Sequence, residues 1–216
     1  TPSYNLSHVL SGKCKIEEAI FQGPENLSIL PGTSGVEEFI DIDYRKVIKL
    51  LEISSHLEDD YDIILIDVGA GAHASVINFL MAADQSLIIL TPEPTAIMDA
   101  YSLVKVMADH EYNKKLGLLI NQAQSEDEGH KVFDRMSKVI KKYLEVKVKY
   151  MGFIPFDRNV PKAVKKQEPF ISLYPETEAS ESVENLAYKL LDRKKEQKSK
   201  GVKGFMYRIV GLFNRS

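Results

Sequence analysis

The sequence predicts an α/β fold, one mostly parallel sheet with helices on both faces. Short apolar runs rich in Ile and Leu recur along the chain, longer segments with helical spacing separate them, and several of the runs are apolar without a break. A strand that does not alternate with polar residues is buried on both sides, as in the middle of a parallel sheet. Repeated β-α-β units with right-handed crossovers then distribute helices over the two faces.

In chain order, Thr1-Pro2-Ser3 is turn-like and Leu27 to Leu30 is the first strand candidate. The string Ile29 to Gly35, ILPGTSG, contains two glycines but no Lys-Ser/Thr ending, so it reads as a turn and not as a phosphate loop. Val36, Phe39, Ile40, Val47, Leu50, Leu51 and Ile53 fall at near-helical spacing and predict a helix over Val36 to Leu57. Strands follow at Ile63 to Ile66, Leu87 to Leu90, Leu116 to Ile120 and Val148 to Ile154. Helices are expected at Ala74 to Ala82, Ala96 to Asp109, Glu126 to Leu144 and Ala179 to Leu191. The 216 residues suit one α/β domain with an appendage: residues 1–191 as the domain, 192–200 as a polar basic linker and 201–216 as a separate amphipathic helix.

Composition narrows the class. Apolar residues make up 44 %, enough for a full core and against wholesale disorder. The net charge of -3 conceals an asymmetry: Asp192 to Ser216 holds eight basic and two acidic residues, leaving 20 basic and 29 acidic in the body. An acidic body with a basic tail points to a tail that seeks an anionic surface, and no nucleic-acid partner is expected of the body. With Cys14 the only cysteine, an intrachain disulfide is impossible. No apolar run approaches a spanning helix and no signal peptide is visible, so the expected location is cytoplasmic. His8, His56, His110 and His130 have no metal-ligand spacing, and His73 is expected on the surface at a helix start.

The strongest local signal is Tyr61 to Val76, YDIILIDVGAGAHASV. An apolar run ends in Asp67 and a glycine-rich turn follows. Ligands of open α/β sheets bind beyond the carboxyl ends of the strands. A carboxylate there can orient Mg²⁺ through its waters beside nucleotide phosphates, and Gly69 and Gly71 let backbone N–H groups approach a γ-phosphate. The plainer alternative is that Asp67 caps the next helix and the glycines turn the chain.

Three more strings sit at strand ends: TPEPTAIMDAYSLVKVM (Thr91 to Met107), LLINQAQS (Leu118 to Ser125) and YMGFIPFDRNVPKAVKKQEPF (Tyr150 to Phe170). Together with YDIILIDVGAG they resemble the MinD/ParA family of ATPases, P-loop NTPases, from about Pro2 to Leu190. PEPTAIMDAYSLVK and the opening PSYNLSHVLSG look most like its FlhG branch, the regulators of flagellar number. The resemblance implies ATP and Mg²⁺ as cofactors. It makes Asp67 the aspartate that holds Mg²⁺ through water, and Gly69 to Gly71 the switch turn. Asn121 becomes the adenine-reading amide, and Pro155, Phe156 and Asp157 the loop that walls the base pocket. It also implies an ATP-dependent homodimer and, as partners, the GTPase FlhF and flagellar switch proteins. The family's N-terminal lysine- and glycine-rich phosphate loop has no match in these residues, and the non-Met start leads us to expect an N-terminally truncated domain, a natural pseudo-ATPase being the alternative. These 216 residues alone are then expected to bind ATP poorly and not to hydrolyse it. Iron-protein relatives need two cluster cysteines per subunit, which Cys14 alone does not supply.

In the tail, Val202, Phe205, Met206, Ile209, Val210 and Phe213 form one apolar stripe on a helix, with Lys203, Arg208 and Arg215 off it. That pattern suits a helix lying in a membrane interface, with a final helix docked on the body as the alternative. MinD-type proteins resemble this arrangement, which implies peripheral association with the inner face of the cell membrane. The expected function is a nucleotide-switched, MinD-like ATPase setting flagellar number or placement. The alternatives are positioning of the division site or another polar cargo, or a non-catalytic membrane-bound scaffold.

Overall fold

The computed structural model of the protein describes residues 3–32, 53, 57, 60–196, 206, 208 and 209, the side chains of 75 and 192–196 excepted. The chain forms two compact units, residues 1–82 with 200–216, and residues 83–199.

The first unit opens with helix α1 (Leu6–Leu10). Asn5 starts it by a reciprocal cap: its Oδ1 accepts from the His8 N–H while the Asn5 N–H donates to His8 Nδ1, both at 3.2 Å. Helix α2 (Ile16–Ala19) follows, then a two-stranded antiparallel pair, β1 (Phe21–Gln22) with β2 (Ser28–Ile29), joined across a 3₁₀ turn at Pro24–Asn26. The expected strand at Leu27 to Leu30 is therefore the return leg of a small hairpin, not a member of the parallel sheet. Val9, Leu10, Cys14, Ile16, Ala19 and Ile53 form this unit's buried cluster, with Leu57, Phe79 and Met206 packed on it. Ile53 and Leu57 are helical; the rest of the helix expected over Val36 to Leu57 lies outside the described residues, as does the turn at 33–35.

The run Ile63 to Ile66 overturns a second expectation. It belongs to no strand, and Ile63, Ile64, Leu65 and Ile66 are 51 %, 41 %, 82 % and 40 % exposed. Apolar, β-branched composition marks a segment that suits a sheet, but a strand exists only where a neighbour supplies its hydrogen bonds. Helix α3 (Ala74–Ala82) then forms as expected, with Val76, Ile77 and Leu80 buried.

The second unit carries the parallel sheet. β3 (Gln85–Leu90), β4 (Lys115–Ala123) and β5 (Val148–Pro155) pair in that spatial order, both ladders parallel. β4 is central. Leu116, Leu118, Leu119 and Ile120 are all at most 2 % exposed, so both of its faces are covered, as an unbroken apolar run predicts. On β3 the pattern alternates: Ser86, Ile88 and Leu90 are buried while Ile89 is 57 % exposed.

Helices α4 (Pro94–Asp109) and α5 (Glu126–Tyr143) make the two crossovers; they pack on each other, α4 on β3 and α5 on β4 and β5. Proline at the first position of α4 loses no helical hydrogen bond there. α5 is started by Ser125, whose hydroxyl accepts from the Glu128 N–H at 3.2 Å. Beyond β5 come α6 (Asn159–Lys166), α7 (Phe170–Leu173) and α8 (Glu178–Glu196). α8 packs along β5, and Lys189 donates to the Met151 carbonyl at 3.2 Å. It runs past Leu191 into the segment expected as a linker, because Asp192 to Glu196 is polar but contains no helix breaker.

Candidate functional site

Residues 121–124 and 155–157 meet at the carboxyl ends of β4 and β5. Asn121 is the register partner of Ile154, and Ala123 that of Pro155. Gln122 is the extra residue between them, a bulge in β4 with φ +59. Holding a residue with a Cβ in this left-handed conformation costs on the order of 1 kcal/mol, so the neighbouring pairs must impose it. The Gln122 N–H donates to Asn121 Oδ1 at 3.0 Å, and Asn121 is half-buried. The two strand ends are tied once more beyond the ladder, where the Phe156 N–H donates to the Ala123 carbonyl at 3.1 Å.

The loop after β5 holds its own shape. Asp157 Oδ1 accepts from the Asn159 N–H at 2.7 Å and launches α6, and the Phe156 side chain is 58 % exposed. A purine could lie against such a loop: proline and phenylalanine offer an apolar wall, and Asn121 an amide with both a donor and an acceptor. Asn121, Pro155, Phe156 and Asp157 are thus brought to one end of one sheet.

On the other side of the β4 end, between the ends of β3 and β4, a cleft of about 270 Å³ is lined by Thr91, Pro92, Glu93, Gln122, Gln124 and Glu128. The Gln124 N–H donates to Glu128 Oε2 at 2.6 Å, which fixes that carboxylate on the turn into α5. Of these residues, the Gln122 bulge had no sequence signal, since glutamine is not a favoured left-handed residue. The turn did have one, because Ser125 followed three residues later by Glu128 is a capping-box pattern.

Asp67, Gly69 and Gly71 belong to the first unit. Asp67 is exposed on the segment that leads into α3. A Cβ on Gly69 would meet nothing within 4 Å, whereas Gly71 has φ +104 and a Cβ there would meet the His73 ring at 3.2 Å. Only glycine adopts that conformation without strain. Among the described residues there is no group of three or more His, Cys, Asp or Glu able to hold a metal. One open carboxylate beside a glycine turn does fit an ion that arrives with phosphates and keeps most of its waters, as Mg²⁺ does.

In the tail, Met206, Arg208 and Ile209 are helical. Ile209 is 1 % exposed, Met206 packs on the cluster around Val9, and Arg208 Nε donates to the Ala82 carbonyl at 2.6 Å, closing the end of α3. Val202, Lys203, Phe205, Val210 and Phe213 lie outside the described residues. No helix among the described residues is long and apolar enough to cross a membrane.

Comparison with known proteins agrees with this arrangement. Residues 2–120 match the family model described as an AAA domain. The chain is 32 % identical over 190 residues to the antiactivator FleN of Pseudomonas aeruginosa, covering 88 % of this chain and 68 % of that protein. It is 28 % identical over 211 residues to the flagellum site-determining protein YlxH of Helicobacter pylori, covering 95 % and 71 %. Among solved structures, the septum site-determining protein MinD of Pyrococcus horikoshii, complexed with Mg-ADP, has the same fold, with a TM-score of 0.63 at 23 % identity over 93 % of this chain and 76 % of that one. With the parallel sheet, the strand-end asparagine and proline loop, and these relatives in view, the chain belongs to the MinD/ParA family of ATPases.

Proposed function

We propose that this protein is the nucleotide-sensing body of a MinD-like positioning ATPase that sets flagellar number or placement at the membrane. The observation that carries the nucleotide part is the meeting of Asn121 with Pro155, Phe156 and Asp157 at the carboxyl ends of two paired parallel strands. That is where open α/β sheets take their ligands. Asn121 reads the base, the loop walls it, Asp67 orients Mg²⁺ through water, and the Gly69 to Gly71 turn follows the γ-phosphate. Likeness to a flagellum site-determining protein over 95 % of the chain supports the flagellar target.

ATP supplies the charge that a dimer of this family closes around. Two amphipathic tails in one dimer then bind an anionic leaflet far better than one. Val202, Phe205, Val210 and Phe213 enter the interface and Lys203 meets headgroups, and Met206, Ile209 and Arg208 join them by leaving the cluster around Val9 and the Ala82 carbonyl, where they are docked in this structure. FlhF and flagellar switch proteins are the expected partners. The 216 residues contain no lysine- and glycine-rich phosphate loop, so on their own they bind ATP weakly and do not turn it over.

Deleting the gene in its host and counting flagella tests the reading. A changed number or position is expected, and wild-type flagellation would refute the flagellar part. A pull-down that recovers division inhibitors and no flagellar protein would move the target to the septum.

A further inference from the structure

We propose that two copies of this chain pair through their parallel-sheet units, the basic outer face of α5 on one lying along the acidic outer face of α8 on the other. The contact uses none of the residues assigned to nucleotide, so it does not depend on that assignment.

Charge is sorted within this unit. Residues 131–149 hold seven Lys or Arg and two Asp or Glu, in a body that is acidic as a whole, whereas residues 175–191 hold four Glu and one Lys. On α5, Val132, Met136 and Ile140 are buried, and Arg135, Lys138, Val139, Lys142 and Tyr143 recur at i, i+3, i+4, i+7 and i+8 on its exposed side. Val139 is 42 % and Tyr143 62 % exposed, and the Lys142 ammonium lies 4.9 Å from the centre of the Tyr143 ring. On α8, Glu181, Glu184, Tyr188 and Leu191 recur at i, i+3, i+7 and i+10, all exposed, Tyr188 at 60 % and Leu191 at 45 %. Each stripe thus mixes one sign of charge with bulky apolar side chains, and the two signs are opposite.

Spacing matches as well as sign. About 4.5 Å of helix separates Arg135 from Lys138, and the same rise separates Glu181 from Glu184. With the two helices parallel, those acids meet those bases, and Tyr188 falls beside Lys142 and Tyr143. Exposed ion pairs alone stabilise little. Here the apolar side chains supply the attraction, while the charges choose the partner and its direction. A lipid leaflet would meet the basic stripe and leave the acidic one unused, whereas a second copy satisfies both. Each copy carries both stripes, so in a twofold pair the contact is made reciprocally.

Sedimentation velocity on the 216-residue chain without nucleotide tests the pairing, with Arg135→Glu/Lys138→Glu as the α5 variant and Glu181→Lys/Glu184→Lys as the α8 variant. All four exchanged residues are exposed, so both variants should keep the wild-type circular dichroism spectrum. Wild type is expected to move toward dimer as its concentration rises, with association about tenfold weaker in about 0.5 M than in about 0.05 M NaCl. Each variant alone should associate at least about tenfold more weakly than wild type, since its two stripes then carry like charge. An equimolar mixture of the two variants should recover wild-type association, because each stripe again meets its opposite. Wild type that stays monomeric would overturn the pairing, as would a mixture that stays monomeric. Association that both variants leave unchanged, as adhesion through Ile63 to Ile66 would, also sinks it. Pelleting with phosphatidylglycerol vesicles adds the lipid arm: a wild type that is monomeric alone, with vesicle binding lost in the α5 variant and kept in the α8 variant, would give the basic face to a membrane instead.

Discussion

Replacing Gly129 by alanine sets two opposing effects against each other on α5. Alanine in a helix interior is favoured over glycine by about 1 kcal/mol, because glycine gives up more backbone freedom. Against that, a Cβ at residue 129 would lie 2.9 Å from Phe153 Cβ and 3.0 Å from the Tyr150 hydroxyl. Phe153 Cβ is bonded to the backbone of β5 and cannot swing aside as a side-chain end can. The Tyr150 oxygen is buried without a hydrogen-bond partner, with the His130 and Phe133 rings 4.3 and 5.0 Å from its own. Relief requires moving α5 off β5, and overpacking of this kind costs roughly 1–3 kcal/mol. The clash should win, with a net loss of about 1 kcal/mol and a midpoint lower by about 2–4 °C for a chain of this size. Thermal unfolding followed by circular dichroism measures it, with Gly69→Ala, whose Cβ meets nothing, expected within about 0.5 kcal/mol of wild type. A Gly129→Ala protein that melts at or above the wild-type midpoint would show that the close approach of α5 to β5 is wrong.

Asn5→Ala removes the reciprocal cap of α1 and should cost about 1 kcal/mol in urea unfolding; no shift in midpoint would mean that the helix start is held by packing alone. Ile209→Asp places a charge in the docked tail and should make the tail cleavable by trypsin under conditions where wild type resists, equal cleavage arguing against docking. Asp67→Asn touches only an exposed position, so melting should stay within about 0.5 kcal/mol, and a larger loss would give Asp67 a structural role. Burial, and then the negative charge of Glu18, push the Cys14 thiol pKa up. Its thiolate fraction at pH 8 is therefore lowered, and a colorimetric thiol reagent should react slowly until denaturant is added; immediate reaction would contradict the buried placement.

How much was legible in the sequence differs by element, for physical reasons. β3, β4 and β5 and the helices between them came from unbroken apolar runs and helical spacing, because burial on two faces imposes that pattern. β1 and β2 are two residues each, too short to carry a period. Ile63 to Ile66 reads as a strand by every local criterion, yet pairing is a property of a neighbour and not of the run itself. Asn121 and Pro155 were found through resemblance, since an asparagine or a proline at a strand end is ordinary. Gln122 was missed because its conformation is imposed by the register of β4 on β5. The tail's stripe was visible, but an apolar face looks the same whether lipid or protein covers it, and only the burial of Ile209 and the bond from Arg208 to Ala82 separate the two.

The four water-facing aliphatics from Ile63 to Ile66 bear on how the protein behaves in a tube. A run of β-branched and leucine residues with no charge and no proline is adhesive toward copies of itself, and its tendency to stick rises with concentration. Asp62 and Asp67 bracket it with negative charge, the placement that discourages edge-to-edge stacking. Exchanging both for asparagine removes that guard, so a concentrated sample of the double variant should turn turbid where wild type stays clear.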